Sequence, residues 1–276
     1  MVESLILRIF RIKKMAIGLA IFLAIVIIGI VGPLIYNVPP TKTIGRRYTP
    51  PGDAHPFGTD ALGRDVLAQI LWGIRGSLYI GVIAAGIALS LALFLGTMAA
   101  VFGGLVDRII MTASEIMLLI PSILLMMLLA AYLPERSLWI VGVVIGVTSW
   151  AGWCRGFRSR TLSILSSDFI SMATLSGASK VSIILRDIVP IIIPYILAAF
   201  AMLFSNSIMA EVGLTLIGVG MTKDVTLGLM LYIAQLYANI SQGIWWTVIP
   251  PAIIITMIFL SLYSIATSID ELVRSW

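Results

Sequence analysis

Few side chains in this 276-residue chain could do chemistry, and their scarcity narrows the function. There is one histidine, His55, and one cysteine, Cys154. A single thiol forms no intrachain disulfide, and one imidazole with one thiol does not make a zinc cage. The phosphate-cradling pattern G-x-x-x-x-G-K-[ST] is absent, and so are H-E-x-x-H and G-x-S-x-G. Most hydrolytic constellations therefore cannot be assembled. What remains is two acids in apolar surroundings, Glu115 and Glu211, and a polar triplet, Ser205-Asn206-Ser207, ahead of the second. Ionisable groups within a membrane span are costly and face protein or water. Each acid could line a pathway, pair with an arginine, or only fix helix packing. Ser205, Asn206, Glu211 and Glu115 are the candidate pathway or gate residues. His55 reads as a turn residue.

The elements that position these residues are membrane helices. The chain is 60% hydrophobic and 11% charged, where a soluble domain carries about 25% charged residues. A mean hydropathy of +1.08 agrees. Soluble, disordered and collagen-like classes are excluded. The net charge of +5 comes from basic clusters between apolar runs. Membrane orientation explains those clusters without invoking nucleic acid.

A crossing helix needs about 20 mostly apolar residues. Six stretches qualify: Met15 to Tyr36; between Arg75 and Asp107; Arg108 to Leu133, interrupted by Glu115 and Pro121; between Arg136 and Arg155; between Asp187 and Glu211; and Ile244 to Ser268. The polar residues Gln235, Asn239, Ser241 and Gln242 put the segment before the last span outside, as a loop or short helix. With the N terminus inside, 11 of the 18 Lys and Arg residues fall on the inner side. The cluster before the first span weighs most, because the positive-inside bias acts close to span ends. The first apolar run is longer than a signal-peptide core and no A-x-A site follows, so it reads as a retained anchor. The expected fold class is an all-α membrane protein of about six transmembrane helices, N-in and C-in.

Two segments are more than apolar. On the outer side, Asn37 to Arg75 begins with proline-rich turns and continues as His55-Pro56-Phe57-Gly58-Thr59-Asp60 and Gly63-Arg64-Asp65. Leu62, Val66, Leu67, Ile70 and Leu71 follow at helical spacing. They predict a capped helix starting at Asp60, either amphipathic and lying on the outer surface or a linker helix packed on the bundle. On the inner side, Asp168-Phe169-Ile170-Ser171-Met172-Ala173 predicts a short helix capped by Asp168. Gly177 ends it, and a second run leads through Val189-Pro190 into the fifth span. Spacing alone leaves two readings: an element that carries force from a soluble partner into the spans, or a loop resting on lipid headgroups. Gly81, Ala85, Gly86, Ser90 and Gly96 in the second span allow close helix approach.

The inner segment resembles the EAA motif of permease subunits of ABC importers. Ser171-Met172-Ala173 stands at E-A-A, Gly177 at the glycine and Val189-Pro190 at the terminal proline. Ser171 replaces the leading acid, which weakens any contact ascribed to that acid and leaves the helix–turn–helix intact. Further segments are similar to the C-type permease subunit of the dipeptide/oligopeptide/nickel branch. They are the His55–Asp65 stretch, Asp107 with Glu115 and Pro121, Ala210-Glu211 with Leu214, Leu216 and Gly218-Val219-Gly220, and Trp245-Trp246 with Pro250. The resemblance covers about Pro50 to the C terminus.

The resemblance implies a type I-like permease bundle. Residues 1–75 would form an anchor helix with an outer linker and amphipathic segment, and 76–276 the permease core. The chain would be a non-catalytic half-channel of the plasma or inner membrane, moving dipeptides or oligopeptides. Its implied partners are a homologous B-type permease, two cytoplasmic ABC ATPase subunits that bind the ATP, an outer binding protein and the lipid bilayer, with no nucleic acid. No cofactor is implied in this chain. The coupling residues would be Asp168, Phe169, Ser171, Met172, Ala173, Gly177, Ala178, Ser179 and Pro190, within a loop at about 168–190. The alternatives are a proton-coupled secondary transporter using Glu115 and Glu211, and, less supported, a membrane enzyme or scaffold.

Overall fold

The computed structural model describes residues 13–132, 137–177, 179–220 and 223–274. Ten helices run through them in order: α1 (Lys13–Ile35), α2 (Val66–Phe102), α3 (Gly104–Leu119), α4 (Ser122–Ala131), α5 (Leu138–Thr148), α6 (Ala151–Leu165), α7 (Asp168–Leu175), α8 (Lys180–Leu216), α9 (Leu227–Leu236) and α10 (Ile249–Arg274). Four helices are long and apolar enough to cross a bilayer, and the count reaches six when the bent pairs α3–α4 and α5–α6 are each one span. Their outward faces carry exposed Ile17, Ile27, Leu34, Leu105, Ile116 and Leu128. Such a surface is stable only against lipid or partner protein. The ends of α1 and α10 lie together, where Lys14 Nζ is 3.4 Å from Glu271 Oε1 and the Ser264 hydroxyl donates to the Lys14 carbonyl at 2.9 Å.

The breaks follow from local chemistry. At Pro121 the chain bends by 89°. Proline supplies no N–H and forces its predecessor out of the helical region, and Ile120 is extended, with φ −86° and ψ 125°. The 49° bend between α5 and α6 falls where the Thr148 and Ser149 hydroxyls donate back to the carbonyls of Val144 and Ile145, at 2.9 and 2.7 Å. The Ser114 hydroxyl of α3 donates to the Ala151 carbonyl at 2.9 Å and ties the two bent pairs together.

The centre of the bundle is α2, 37 residues long, packed against α1, α5, α6 and α8. At about 1.5 Å per residue it measures about 55 Å and outruns a hydrocarbon core of about 30 Å. Glycine permits its contacts. A Cβ on Gly96 would stand 2.9 Å from Phe157 Cβ of α6, and one on Gly81 would stand 3.1 Å from Ile208 Cγ1 of α8. Ala85 is buried as well, but a Cβ on Gly86 would meet nothing within 4 Å, and Ser90 is exposed. The stripe of small residues therefore packs in part only.

Of the two readings of the outer helix, the structure shows the one packed on the bundle and not the one lying free on the surface. Val66, Gln69, Ile70 and Leu71 are buried as the first turns of α2. A surface amphipathic helix needs a wet face, and here tertiary contacts cover both. The division at 75/76 consequently falls inside α2. Its cap is Asp65, which accepts the Ala68 N–H at 2.9 Å. Asp60 instead closes the preceding turn, accepting the N–H groups of Leu62 and Arg64 and, at Oδ2, the Arg64 Nε and Gln69 Nε2 donors.

Residues 37–65 form a folded outer cap over this helix start. The Ile44 and Gly45 N–H groups donate to the Gly63 carbonyl, and Thr59 N–H donates to the Thr49 carbonyl. His55 both turns the chain and bonds: its Nδ1 lies 2.9 Å from Asp65 Oδ2, which also accepts the Tyr36 hydroxyl at 3.1 Å. Burial, together with the Asp65 carboxylate, pushes the Tyr36 phenol up, so it remains a donor. Trp246 Nε1 donates to the Thr59 carbonyl and joins the cap to the start of the last span.

Candidate coupling element and translocation face

The inner element forms as expected, with corrected caps. Asp168 is the first residue of α7 rather than its cap, and its carboxylate lies in the first turn, where the helix dipole favours an anion. The helix ends through Gly177, whose φ is +83°, a conformation that costs a side-chain-bearing residue about 1–2 kcal/mol. Ser179 then caps α8, accepting the Ser182 N–H at 3.2 Å. Of the expected coupling residues, Ala178 lies outside the described residues.

The two faces of α7 differ. Ile170 is 3% exposed and packs with Ile183, Ile188, Ile192, Phe157 and Ala92. Phe169, Met172 and Leu175 point outward, and Leu175 is 89% exposed. Ser171 is exposed and its hydroxyl turns back to the Ser167 carbonyl, while Ala173 is half-buried. One edge of the helix is thus fixed to α2, α6 and α8, and the other presents apolar side chains with no partner among the described residues. Composition alone did not distinguish Ile170 from its apolar neighbours.

The helix α8 passes straight through Pro190 into the fifth span. It does so by widening. Residues Ile183–Ile188 are π-helical, and Val189 N–H donates to the Ile184 carbonyl, five residues back. Pro190 lacks a donor and crowds the carbonyl a turn earlier, at Arg186, and the wider turn there relieves that crowding. Beyond the proline, Tyr195 packs edge-on against Phe157 with centroids 4.9 Å apart, and the Arg160 guanidinium lies 4.8 Å from the tyrosine ring centre.

The structure separates the candidate pathway residues. Glu211 is 0% exposed and sits within protein. Its Oε1 accepts the hydroxyls of Thr226 at 2.7 Å and Thr215 at 3.1 Å, and Oε2 accepts Ser77 at 3.5 Å. The Ser77 Oγ in turn accepts the Leu227 N–H at 3.1 Å, and Thr226 caps α9. A carboxylate enclosed this way fastens α9 to α2 and α8, the helix-packing role among the three that the sequence left open. Ser205 is also buried. Asn206 is exposed. Glu115 is exposed and pairs with Arg155 at 3.1 Å, and Asp107 on α3 accepts both Nε and Nη2 of Arg158 on α6. That second clamp lies 51 positions apart in the chain, a separation that no local spacing reveals. Among the described residues, no group of three or more His, Cys, Asp or Glu side chains could hold a metal.

The family model described as "Binding-protein-dependent transport system inner membrane component" matches residues 92–275, from the middle of α2 to the end of α10. A Brucella suis protein bearing the name of a peptide transport system permease protein is 32% identical over 268 residues, covering 96% of this chain and 88% of its own. The oligopeptide transport system permease protein OppC of Bacillus subtilis is 30% identical over 214 residues, covering 76% of this chain and 70% of its own. OppC of Mycobacterium tuberculosis is 32% identical over 212 residues, covering 76% and 72%. A helical bundle with bent spans, an outward-facing apolar edge on α7 and a match over two thirds of the sequence lead to one conclusion: the chain belongs to the inner membrane components of binding-protein-dependent transport systems and is a multi-pass permease subunit of an ABC importer.

Proposed function

We propose that this permease subunit forms half of a translocation pathway for peptides. The peptide-transport names of its relatives support that substrate class. A homologous permease subunit would supply the other half, two ATPase subunits would dock on the inner side, and an outer binding protein would deliver substrate in the plasma or inner membrane. The chain makes no covalent change to what it carries, and ATP is held on its partners.

The observation that carries this reading is the two-faced α7. Phe169, Met172 and Leu175 offer a desolvatable edge to an ATPase, while Ile170 anchors the helix to the same cluster as α6 and α8. Movement of the ATPases would then reach α8 through packed side chains, a coupling carried by rigid elements with two arrangements. Nothing favours the proton-coupled alternative, since Glu211 is closed off by three hydroxyls and Glu115 is ion-paired.

The test is a Gly177→Pro variant in the assembled complex. Loss of ATPase co-purification or of ATP-driven peptide uptake is expected. Retention of both ends the lever assignment. Labelling of Ser179→Cys by an impermeant thiol reagent on intact cells would also end it, by placing the element on the outer side.

A further inference from the structure

Asn206 is the polar outlier of α8. It lies about 15 Å, ten residues at about 1.5 Å each, from the outer end of the helix at Leu216. That places it well inside the apolar part of the helix. Its side chain is exposed and, among the described residues, its carboxamide has no hydrogen-bond partner. Ser90 and Thr256, exposed polar residues in other spans, satisfy themselves locally. The Ser90 hydroxyl donates to the Gly86 carbonyl at 2.7 Å and the Thr256 hydroxyl to the Ala252 carbonyl at 2.8 Å. A carboxamide has two donors and an acceptor, so a single turn-back bond of that kind would not satisfy it. Left against hydrocarbon, it would be an unsatisfied polar group. The side of α8 that carries Asn206 therefore faces something polar.

The neighbours on that side narrow the ligand. Met202, Met209 and Gly213 lie three, four or seven residues away and share the face, with Met209 exposed and the other two half-buried. None is charged. Methionine is flexible and polarisable and adapts to side chains of many shapes. The carboxamide matches the one feature all peptides share, the backbone N–H and C=O pair.

We propose that Asn206 is a substrate-contacting residue that hydrogen-bonds the peptide backbone during passage, with Met202 and Met209 accommodating variable side chains. This rests on the peptide-importer reading above and deepens it: selection along this face would be for peptide groups and indifferent to side-chain charge.

The test uses the complete complex in proteoliposomes with trialanine as the peptide. Asn206→Cys is labelled with a small cationic methanethiosulfonate reagent, with Ile27→Cys on the outward face of α1 as the lipid-facing control. The native Cys154 is wholly buried and contributes no background. Labelling of Cys at 206 should be about tenfold faster than the control, because thiolates form in water and not in lipid, and trialanine should slow it. Asn206→Leu should lower uptake about fivefold to tenfold with ATPase co-purification unchanged, and Asn206→Gln should recover much of it. Labelling no faster than at position 27, or labelling that trialanine leaves unaltered, overturns the assignment while wild-type ATP-driven uptake keeps the importer reading intact. Wild-type uptake that proceeds without ATP overturns the importer reading itself.

Discussion

The Thr226 hydroxyl donates to Glu211 Oε1 across 2.7 Å, and with that bond the only acid in the outer half of α8 becomes part of a helix junction. Gly228 sits against the same carboxylate, where a Cβ would stand 2.7 Å from Oε1. A side chain positioned to look like a carrier of charge acts instead as a fastener. We predict that Glu211→Leu destabilises the solubilised complex by about 2–4 kcal/mol, because three buried hydroxyls lose their acceptor. Glu211→Gln keeps one carbonyl oxygen, so it should cost less and retain ATP-driven uptake. Thermal unfolding with parallel uptake assays checks both. Abolished uptake in Glu211→Gln with unchanged stability would return Glu211 to the pathway.

The two faces of α7 should respond differently to substitution. Met172→Asp or Leu175→Asp alters only the exposed edge, and should weaken ATPase binding about tenfold to hundredfold with the permease's own stability unchanged. Ile170→Ala removes buried volume and should lower permease stability by about 2–4 kcal/mol. Co-purification at graded detergent and thermal unfolding separate the two effects. Equal destabilisation by both kinds of change would refute the division.

At Gly177 the backbone, not space, is limiting, since a Cβ there would meet nothing within 4 Å. Gly177→Ala should cost about 1 kcal/mol and Gly177→Asn less, because Asn tolerates the left-handed region better. Uptake should follow the same order. Identical behaviour of the two variants would show that the positive φ is not what matters at this position.

Gly96 and Gly86, both in α2, provide an internal control for packing. Gly96→Val drives atoms into Phe157 Cβ, 2.9 Å from the Cβ position, and into the backbone of α6, and should cost about 1–3 kcal/mol or more. Gly86→Ala enters open space and should be neutral or stabilise by up to about 1 kcal/mol, the helix-propensity difference. A destabilising Gly86→Ala would reveal a close partner on that side of α2.

Much of the architecture was legible because its causes are local. Uninterrupted apolar length selects a lipid-crossing helix whatever surrounds it, so Met15 to Tyr36 and Ile244 to Ser268 come close to the observed α1 and α10. Pro121 and Gly177 act on their own backbone, and both breaks occur where those residues stand. The helix–turn–helix at 168–190 and the family resemblance rest on the same short-range pattern.

Other features needed the folded chain, because they depend on which surfaces meet. The periodicity of Val66, Ile70 and Leu71 is the same for a helix resting on a membrane and for the buried start of α2, and only the cap of residues 37–65 with α9 decides between them. Ser205, Asn206 and Glu211 are equally polar in the sequence, yet the rotation of α8 against α2 buries the first and third and exposes the second. Asp107 and Arg158 reveal no pairing until α3 folds onto α6. Composition and spacing determine that a side chain is polar and which element carries it. Its partner is set by the direction the element faces, and in a bundle that direction is fixed collectively by all the helices packed around it.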